Sequence, residues 1–326
     1  MNIAITGCGL IGQKRLRALQ NTHKIVSLAD TVIERARLLA TQCEGAYAHS
    51  DWQAAIARPG VDAVIVATPN QWLAPITAYA VQRGKHVLVE KPAAIRSAEL
   101  LPIIADSEER KVSVQVGFNH RFHPSFQKAR EIIDSGVLGD LMFIRGRYGH
   151  GGRVGYDKEW RADPAISGGG ELLDQGVHLI DLARWFLGDF TTVHGHSTTY
   201  FWKMSVDDNA FLNLRTPSGQ TAWLHASCTE WKNMFSFEIY GRDGKLQIDG
   251  LGGSYGTERI AFYRMLPQMG PPETTIWEYP GEDVSWKLEL SSFFESIRTG
   301  APQGPGLRDA YAALHIVEKI YQQSNS

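Results

Sequence analysis

The stretch Asn2-Ile3-Ala4-Ile5-Thr6-Gly7-Cys8-Gly9-Leu10-Ile11-Gly12 decides the fold. Five residues of strand character run into G-x-G-x-x-G, and a helical pattern follows over about 11–20. Lys24-Ile25-Val26-Ser27-Leu28-Ala29 reads as a second strand that ends at Asp30. Strand, glycine turn, helix and strand in this order make a dinucleotide-binding unit. Gly7 permits the tight turn, Gly9 lets backbone approach a pyrophosphate, and Gly12 lets helix and strand pack closely. Leu10 and Ile11 complete the loop at the helix N-terminus, whose open N–H groups and dipole face the phosphates. Asp30 follows Gly12 by 18 positions, where an acid binds the ribose 2′-hydroxyl. A carboxylate there repels a 2′-phosphate, so the expected cofactor is NAD rather than NADP. Arg35 is a nearby cation, but its setting in Thr31-Val32-Ile33-Glu34-Arg35 reads as helix surface.

Strands and helices keep alternating to about residue 118. Thr31-Val32-Ile33-Glu34 reads as a capping box opening a helix that runs to about Cys43. Residues 61–67 read as a buried strand ending in Thr68-Pro69-Asn70, with a helix over about 73–83 stopped by Gly84. His86-Val87-Leu88-Val89 is another strand, ending in Glu90-Lys91-Pro92. A helix over 97–110 and a strand over 112–116 complete the series. Such alternation implies a doubly wound parallel sheet, an α/β Rossmann domain whose ligands bind at the carboxyl ends of its strands. The glycine loop, Asp30, Thr68, Pro69, Asn70, Glu90 and Lys91 all fall at such ends.

Beyond residue 119 the pattern changes, so the expected domains are 1–119 and 120–326. Pro124 opens a helix ending near Gly136, and 141–148 reads as a strand. A Gly- and Arg-rich stretch over 149–170 has no clear period and suggests a functional loop. From 190 to about 280, runs rich in Thr, Val, Phe, Tyr and Trp are broken by turn signals, as in a largely antiparallel sheet. Helices over 285–299 and 307–322 close the chain, with the option of packing back on the first domain.

A second informative stretch is Gly168-Gly169-Gly170-Glu171-Leu172-Leu173-Asp174-Gln175-Gly176-Val177-His178-Leu179-Ile180-Asp181. On an unbroken helix over 172–186, Asp174, His178 and Asp181 share one face. The other faces are apolar, so this polar stripe faces either water or a cleft. A carboxylate one turn before an imidazole suits proton transfer. Asp174 and His178 also have the spacing of metal ligands, but no third ligand is identifiable, and no metal is expected.

Net charge is −2, from 33 basic and 35 acidic residues with no basic run, which gives no case for nucleic acid or an anionic membrane. No apolar run approaches a membrane span, and no leader is read at the N-terminus. Cys8, Cys43 and Cys228 are far apart and form no metal-type pair, so they read as reduced thiols of a cytoplasmic protein.

The glycine-loop start, Glu90-Lys91-Pro92, Gly117-Phe118-Asn119-His120-Arg121-Phe122 and the 168–181 stretch occur in this order. Together they resemble the glucose–fructose oxidoreductase / inositol dehydrogenase / MocA (Gfo/Idh/MocA) family over nearly the whole chain. The resemblance implies an N-terminal Rossmann domain and a C-terminal α/β domain with an open, largely antiparallel sheet. It implies a homodimer or homotetramer, for which Tyr200-Phe201-Trp202 and Trp223 are candidate interface residues. It implies an NAD-dependent oxidoreductase acting on a secondary hydroxyl of a sugar or sugar nucleotide, at the ring 3-position in surface-polysaccharide synthesis. Inositol dehydrogenase is the alternative. A non-catalytic NAD(P)-binding sensor is an alternative of another class, against which the retention of Lys91, Asp174 and His178 argues. Carried over by motif, Lys91, Asp174 and His178 are catalytic, while Asn70 and Glu90 line the nicotinamide pocket. The resemblance also implies Asn119, Trp160 and Arg161 near the cofactor and Arg121 near the substrate, while Arg153 and Tyr148 read as substrate contacts, to an anionic group and to a sugar face. One departure is Gln71-Trp72-Leu73, where many members carry a histidine.

Overall fold

A computed structural model describes residues 1–19 and 23–324, which group into two units. The first holds Met1–Phe118, Ala165–Gly168 and Trp286–Leu314; the second holds Asn119–Pro164, Gly169–Ser285 and the chain from His315 onward. Residue 20, at the expected end of the first helix, lies outside the described residues.

Apolar strands alternate with helices through the first unit. The order is β1 (Asn2–Thr6), α1 (Leu10–Leu19), β2 (Lys24–Ala29), α2 (Ile33–Ala40), β3 (Tyr47–His49), α3 (Trp52–Ala57), β4 (Ala63–Val66), α4 (Asn70–Gln82), β5 (His86–Glu90), α5 (Leu100–Arg110) and β6 (Val114–Gly117). The strands form one parallel sheet in the order β3-β2-β1-β4-β5-β6, the dinucleotide-binding arrangement. Consecutive residues of β1, β4 and β5 are buried, as a parallel sheet covered on both faces requires.

Several local expectations are corrected. No capping box forms at Thr31: Val32 holds the N-cap position without a side-chain bond, and the helix ends at Ala40. The Asp30 carboxylate accepts the Val32 N–H at 2.9 Å instead, so the preceding acid supplies the turn. Helix α4 begins at Asn70 directly after Pro69, three residues earlier than expected, and carries Pro75 inside it. The strand β3 and helix α3 were not anticipated, because three strand residues carry too short a pattern to read.

The second unit begins with α6 (Pro124–Asp134) and β7 (Leu141–Gly149). The short helix α7 (Pro164–Ser167), α8 (Val177–Leu187), β8 (Thr192–Thr198), β9 (Asn209–Arg215), β10 (Thr221–Ser227), β11 (Met234–Gly241), β12 (Gly244–Asp249), β13 (Glu258–Arg264) and β14 (Glu273–Tyr279) follow. The eight strands run β14-β13-β12-β11-β7-β10-β9-β8, antiparallel except for the parallel pair β7 and β10. Strand β11 alternates strictly, burying Phe235, Phe237 and Ile239, and Phe235 and Phe237 meet Phe126 of α6 while Phe237 also meets Phe186 of α8. Helices α9 (Ser285–Thr299) and α10 (Leu307–Ser324) end the chain. Leu290 and Phe293 of α9 belong to the core of the first unit, with Ile3, Ile5, Leu16, Leu28 and Leu88.

The helix expected over 172–186 forms, but its first part is π-helical rather than α-helical. A π-helical turn, Leu172–Gly176, precedes α8. Its start is pinned by Asp207, whose carboxylate accepts the N–H groups of Gly170 and Leu172 at 3.0 and 2.8 Å. The wide turn absorbs the mismatch between that anchored start and the packed face of α8. It also rotates the residues before it relative to those after it, so Asp174 is not on the face a regular helix would give it.

The loop before β9 is held by a similar device. Asp208 accepts the backbone N–H groups of Tyr200, Phe201 and Trp202 at 2.9, 2.8 and 3.0 Å. Burial pushes this carboxyl up, but the Asn209 amide and the three N–H groups outweigh it and hold it below the usual range. A depressed folded value stabilises above the unfolded value of about 3.9, and the stabilisation is lost as pH falls through the folded value. Asp208→Asn is therefore expected to cost about 1–3 kcal/mol at pH 7. In urea melts the gap to the parent should close as pH is lowered below about 4; an unchanged gap in acid would show that the charge is not responsible.

Candidate active site

Parallel pairing puts the carboxyl ends of β1, β2, β4 and β5 on one edge of the first sheet. A Cβ on Gly7 would lie 2.3 Å from the Ala67 carbonyl oxygen, and one on Gly12 2.0 Å from that of Gly7. These two glycines serve backbone packing. Gly9 differs: a Cβ there would meet nothing within 4 Å, which leaves its backbone open to a phosphate. Leu10, 70% exposed, and Ile11 begin α1 beside it. Asp30 accepts the Cys8 N–H at 2.8 Å through Oδ2 and the Val32 N–H through Oδ1. Each oxygen keeps acceptor capacity for ribose hydroxyls. Arg35, largely exposed, comes to 4.0 Å from this acid. The Thr68 hydroxyl after β4 is shielded from solvent and has no hydrogen-bond partner among the described residues. Open glycine backbone, a ribose-type acid and an orphaned hydroxyl on one sheet edge fit NAD. Cys8 is no nucleophile: burial, then Asp30, pushes its thiol up to about 12.

Further along the same edge, the Asn70 amide donates to the Ser167 carbonyl at 2.8 Å. Gln71, with its amide in the bonding orientation, donates to the Ala165 carbonyl at 3.2 Å and accepts from the Trp72 indole at 3.1 Å. Glu90 accepts from the Arg15 Nε at 2.6 Å. Thus Asn70 and Glu90, read from the sequence as nicotinamide-lining, also tie protein segments together. Lys91 follows Glu90 and is half-buried.

In the second unit the three polar residues of the 168–181 stretch have separate settings. Asp174 is half-buried and accepts from the Arg161 Nε at 3.1 Å. Burial pulls the Arg161 guanidinium down, but Asp174 more than restores it, so its pKa is raised. The Arg161 cation also lies 4.5 Å from the Trp160 ring. His178, 4% exposed, stacks on His120 with ring centres 3.8 Å apart and planes 12° apart. Asp181 is buried and takes a bidentate pair from Arg121, at 2.8 and 2.6 Å. The three residues are therefore one half-buried acid, one buried stacked imidazole and one buried ion pair.

Tyr148 lies edge-on to His178 with centres 6.2 Å apart, and burial first, then Tyr255, pushes its phenol well up. Arg153 is mostly exposed and donates to Glu159 at 2.6 Å. Asn119 donates to the Ser285 hydroxyl at 3.0 Å. Behind Asp174, buried Glu171 lies 3.4 Å from the His150 Nε2 and 3.5 Å from the Tyr156 hydroxyl. Burial pushes the Glu171 carboxyl up, opposed by His150. The sequence alone gave no site role to His120, His150 or Glu171. Their one signal was position, inside or beside the quoted motifs. Among the described residues no group of three or more His, Cys, Asp or Glu side chains is arranged to hold a metal ion.

Residues 1–118 match the oxidoreductase family, NAD-binding Rossmann fold, and residues 126–247 match the GFO/IDH/MocA C-terminal domain. The chain is 28% identical to inositol 2-dehydrogenase 2 of Saccharopolyspora erythraea, over 98% of this chain and 91% of that one. It is 27% identical to scyllo-inositol 2-dehydrogenase (NAD(+)) of Bacillus subtilis, over 96% and 90% of the two chains. Its fold is similar to that of levoglucosan dehydrogenase in complex with NADH and levoglucosan, with a TM-score of 0.88, 25% identity and coverage of 99% and 98%. Two matched domains in this order, on a sheet edge that fits NAD, make the chain a member of the Gfo/Idh/MocA family of NAD-binding oxidoreductases.

Proposed function

We propose that the protein is an NAD-dependent dehydrogenase of an uncharged polyol ring, a cyclitol or free sugar, acting at a secondary hydroxyl. The observation that carries the substrate class is the pairing of three arginines. Arg121, Arg153 and Arg161 are the residues that would read a phosphate or carboxylate. Each is engaged by an acid of its own unit: Asp181, Glu159 and Asp174. Relatives named for inositol and levoglucosan support the same class. A sugar nucleotide, with oxidation at the ring 3-position, is the second reading, and the exposure of Arg153 is the observation in its favour.

When bound, NAD supplies the acceptor for a hydride. His178 removes the hydroxyl proton as the general base. Lys91 donates a hydrogen bond to the same oxygen and offsets its developing negative charge. Asp174, held by Arg161, orients a neighbouring hydroxyl. The His120 ring keeps the His178 ring in one plane. Exposed Tyr200, Phe201 and Trp223 support a homodimer or homotetramer, testable by light scattering. The free thiols Cys8, Cys43 and Cys228 suit a reducing cytoplasm.

NADH formation at 340 nm should be measured with inositols, free sugars and UDP-, GDP- and dTDP-sugars. Turnover is expected with a cyclitol or free sugar and not with nucleotide sugars; the reverse would favour the second reading. Silence with every ring, with NADH binding intact, would point to a non-catalytic sensor. His178→Ala is expected to lower kcat by about 10²–10⁴-fold with NADH affinity kept, and Lys91→Ala by at least as much. His120→Ala should lower kcat while His120→Phe, which keeps a stacking ring, restores most of it. Equal kcat in all three His120 forms would remove the positioning role.

A further inference from the structure

Arg15 is an unusual residue to find inside a Rossmann unit. It lies on α1, the helix that starts at the glycine loop, and its side chain is fully buried. Charged side chains are seldom buried this completely unless paired. Its Nε donates to Glu90 at 2.6 Å, and its Nη1 donates to Glu289 of α9, which is equally buried. The Trp286 ring lies 4.5 Å from the guanidinium carbon. Burial pulls the guanidinium down, but Glu289 and Glu90 outweigh it, so its pKa is raised and it stays charged. One cation thus joins three elements of the first unit: the cofactor helix, the end of β5 and the returning helix α9.

The stability argument for such a group is weak. A buried ion triad is desolvated at high cost, and well-packed apolar replacements are often as stable or more so. A strut of this kind is useful where geometry matters. Glu90 is the last residue of β5 and directly precedes Lys91. Opposite Glu90 in the sheet stands Gly117, and a Cβ there would lie 2.9 Å from the Glu90 Oε2 and 3.0 Å from the Arg15 Nη2. The neighbouring strand is therefore trimmed to bare backbone where the strut passes.

We infer that Arg15 and Glu289 are positioning residues: through the Glu90 carboxylate they hold the root of Lys91 in register with the helix that binds the dinucleotide. The inference rests on the proposed role of Lys91 and extends it to residues remote in sequence. Neither Arg15 nor Glu289 touches substrate in this assignment; they act through Glu90. Loss of the strut leaves the glycine loop intact but lets the lysine wander, and misplacement by about 1 Å costs on the order of 10²-fold in rate.

The test uses the full chain with three changes: Glu289→Gln, which keeps shape and removes one charge; Arg15→Met; and Gly117→Ala, which presses on the strut without altering charge. Two readouts are independent of each other. The first is kcat against KM for NAD, with the primary deuterium effect on kcat from a substrate deuterated at the reacting carbon. The second is the rate at which acetic anhydride modifies Lys91 relative to Lys111, read by peptide mass spectrometry. In Glu289→Gln and Gly117→Ala, kcat is expected to fall about tenfold or more with KM for NAD within about threefold, as for lost orientation rather than lost binding. The deuterium effect should rise, and relative labelling of Lys91 should change at least about twofold, as for a lysine released from a fixed geometry. Folded variants with unchanged kcat and unchanged Lys91 labelling would overturn the strut. Should Lys91→Ala turn over like the parent, the catalytic assignment of Lys91 fails instead, while the labelling comparison still decides whether the strut holds that lysine.

Discussion

Backbone meets backbone where α1 leaves β1, and much of the first unit depends on that contact. A side chain at Gly12 would collide with the Gly7 carbonyl, and one at Gly7 with that of Ala67. Only glycine permits helix, turn and the end of β4 to approach this closely. The approach sets the start of α1 at Leu10 and brings the Cys8 N–H to Asp30. The open backbone at Gly9, the acid at the end of β2 and the orphaned hydroxyl of Thr68 then share one edge. The ligand edge is a by-product of how tightly the helix must pack.

A second theme is the use of carboxylates to fix loops. Asp30, Asp207 and Asp208 each accept two or more backbone N–H groups, and Glu258 accepts that of Ser125. Such bonds are charge-assisted and stronger than neutral ones. They also give irregular chain a single conformation where no sheet or helix supplies one. The Asp207 anchor explains why the 168–181 stretch begins as a π-turn: its first N–H groups are held by a side chain remote in sequence. The acids that pair with arginines do the opposite job. They hold Arg121, Arg153 and Arg161 in place, each against an acid of its own unit.

The alternation of strands and helices over the first 118 residues was legible, because a parallel sheet covered on both faces demands long apolar runs. The largely antiparallel sheet over 190–280 was legible from its β-type runs and the turn signals between them. The capping box was misread because Thr31 offered a plausible cap, while Asp30, one position earlier, was the better acceptor. The π-helical start of the 172–186 helix was not read because the apolar period continues through Val177 to Phe186 and hides the wider turn over Leu172–Gly176. His120 and His178 are 58 positions apart and carry no mutual signal. Arg15, Glu90 and Glu289 are separated by 75 and 274 positions in their two pairings.

By itself the sequence determined the Rossmann order, the preference for NAD through Asp30 and the motifs from which the candidate site residues are named. These rest on local spacing, which the backbone periods of helix and strand translate directly into position. Tertiary structure alone decided which of those residues are braced and by what. It stacked His120 on His178, committed Arg121 to Asp181 and buried Arg15 between two acids. The physical reason is that a buried charge or ring takes its partner from whatever the packed chain brings beside it, and packing, unlike period, leaves no trace along a single strand of sequence.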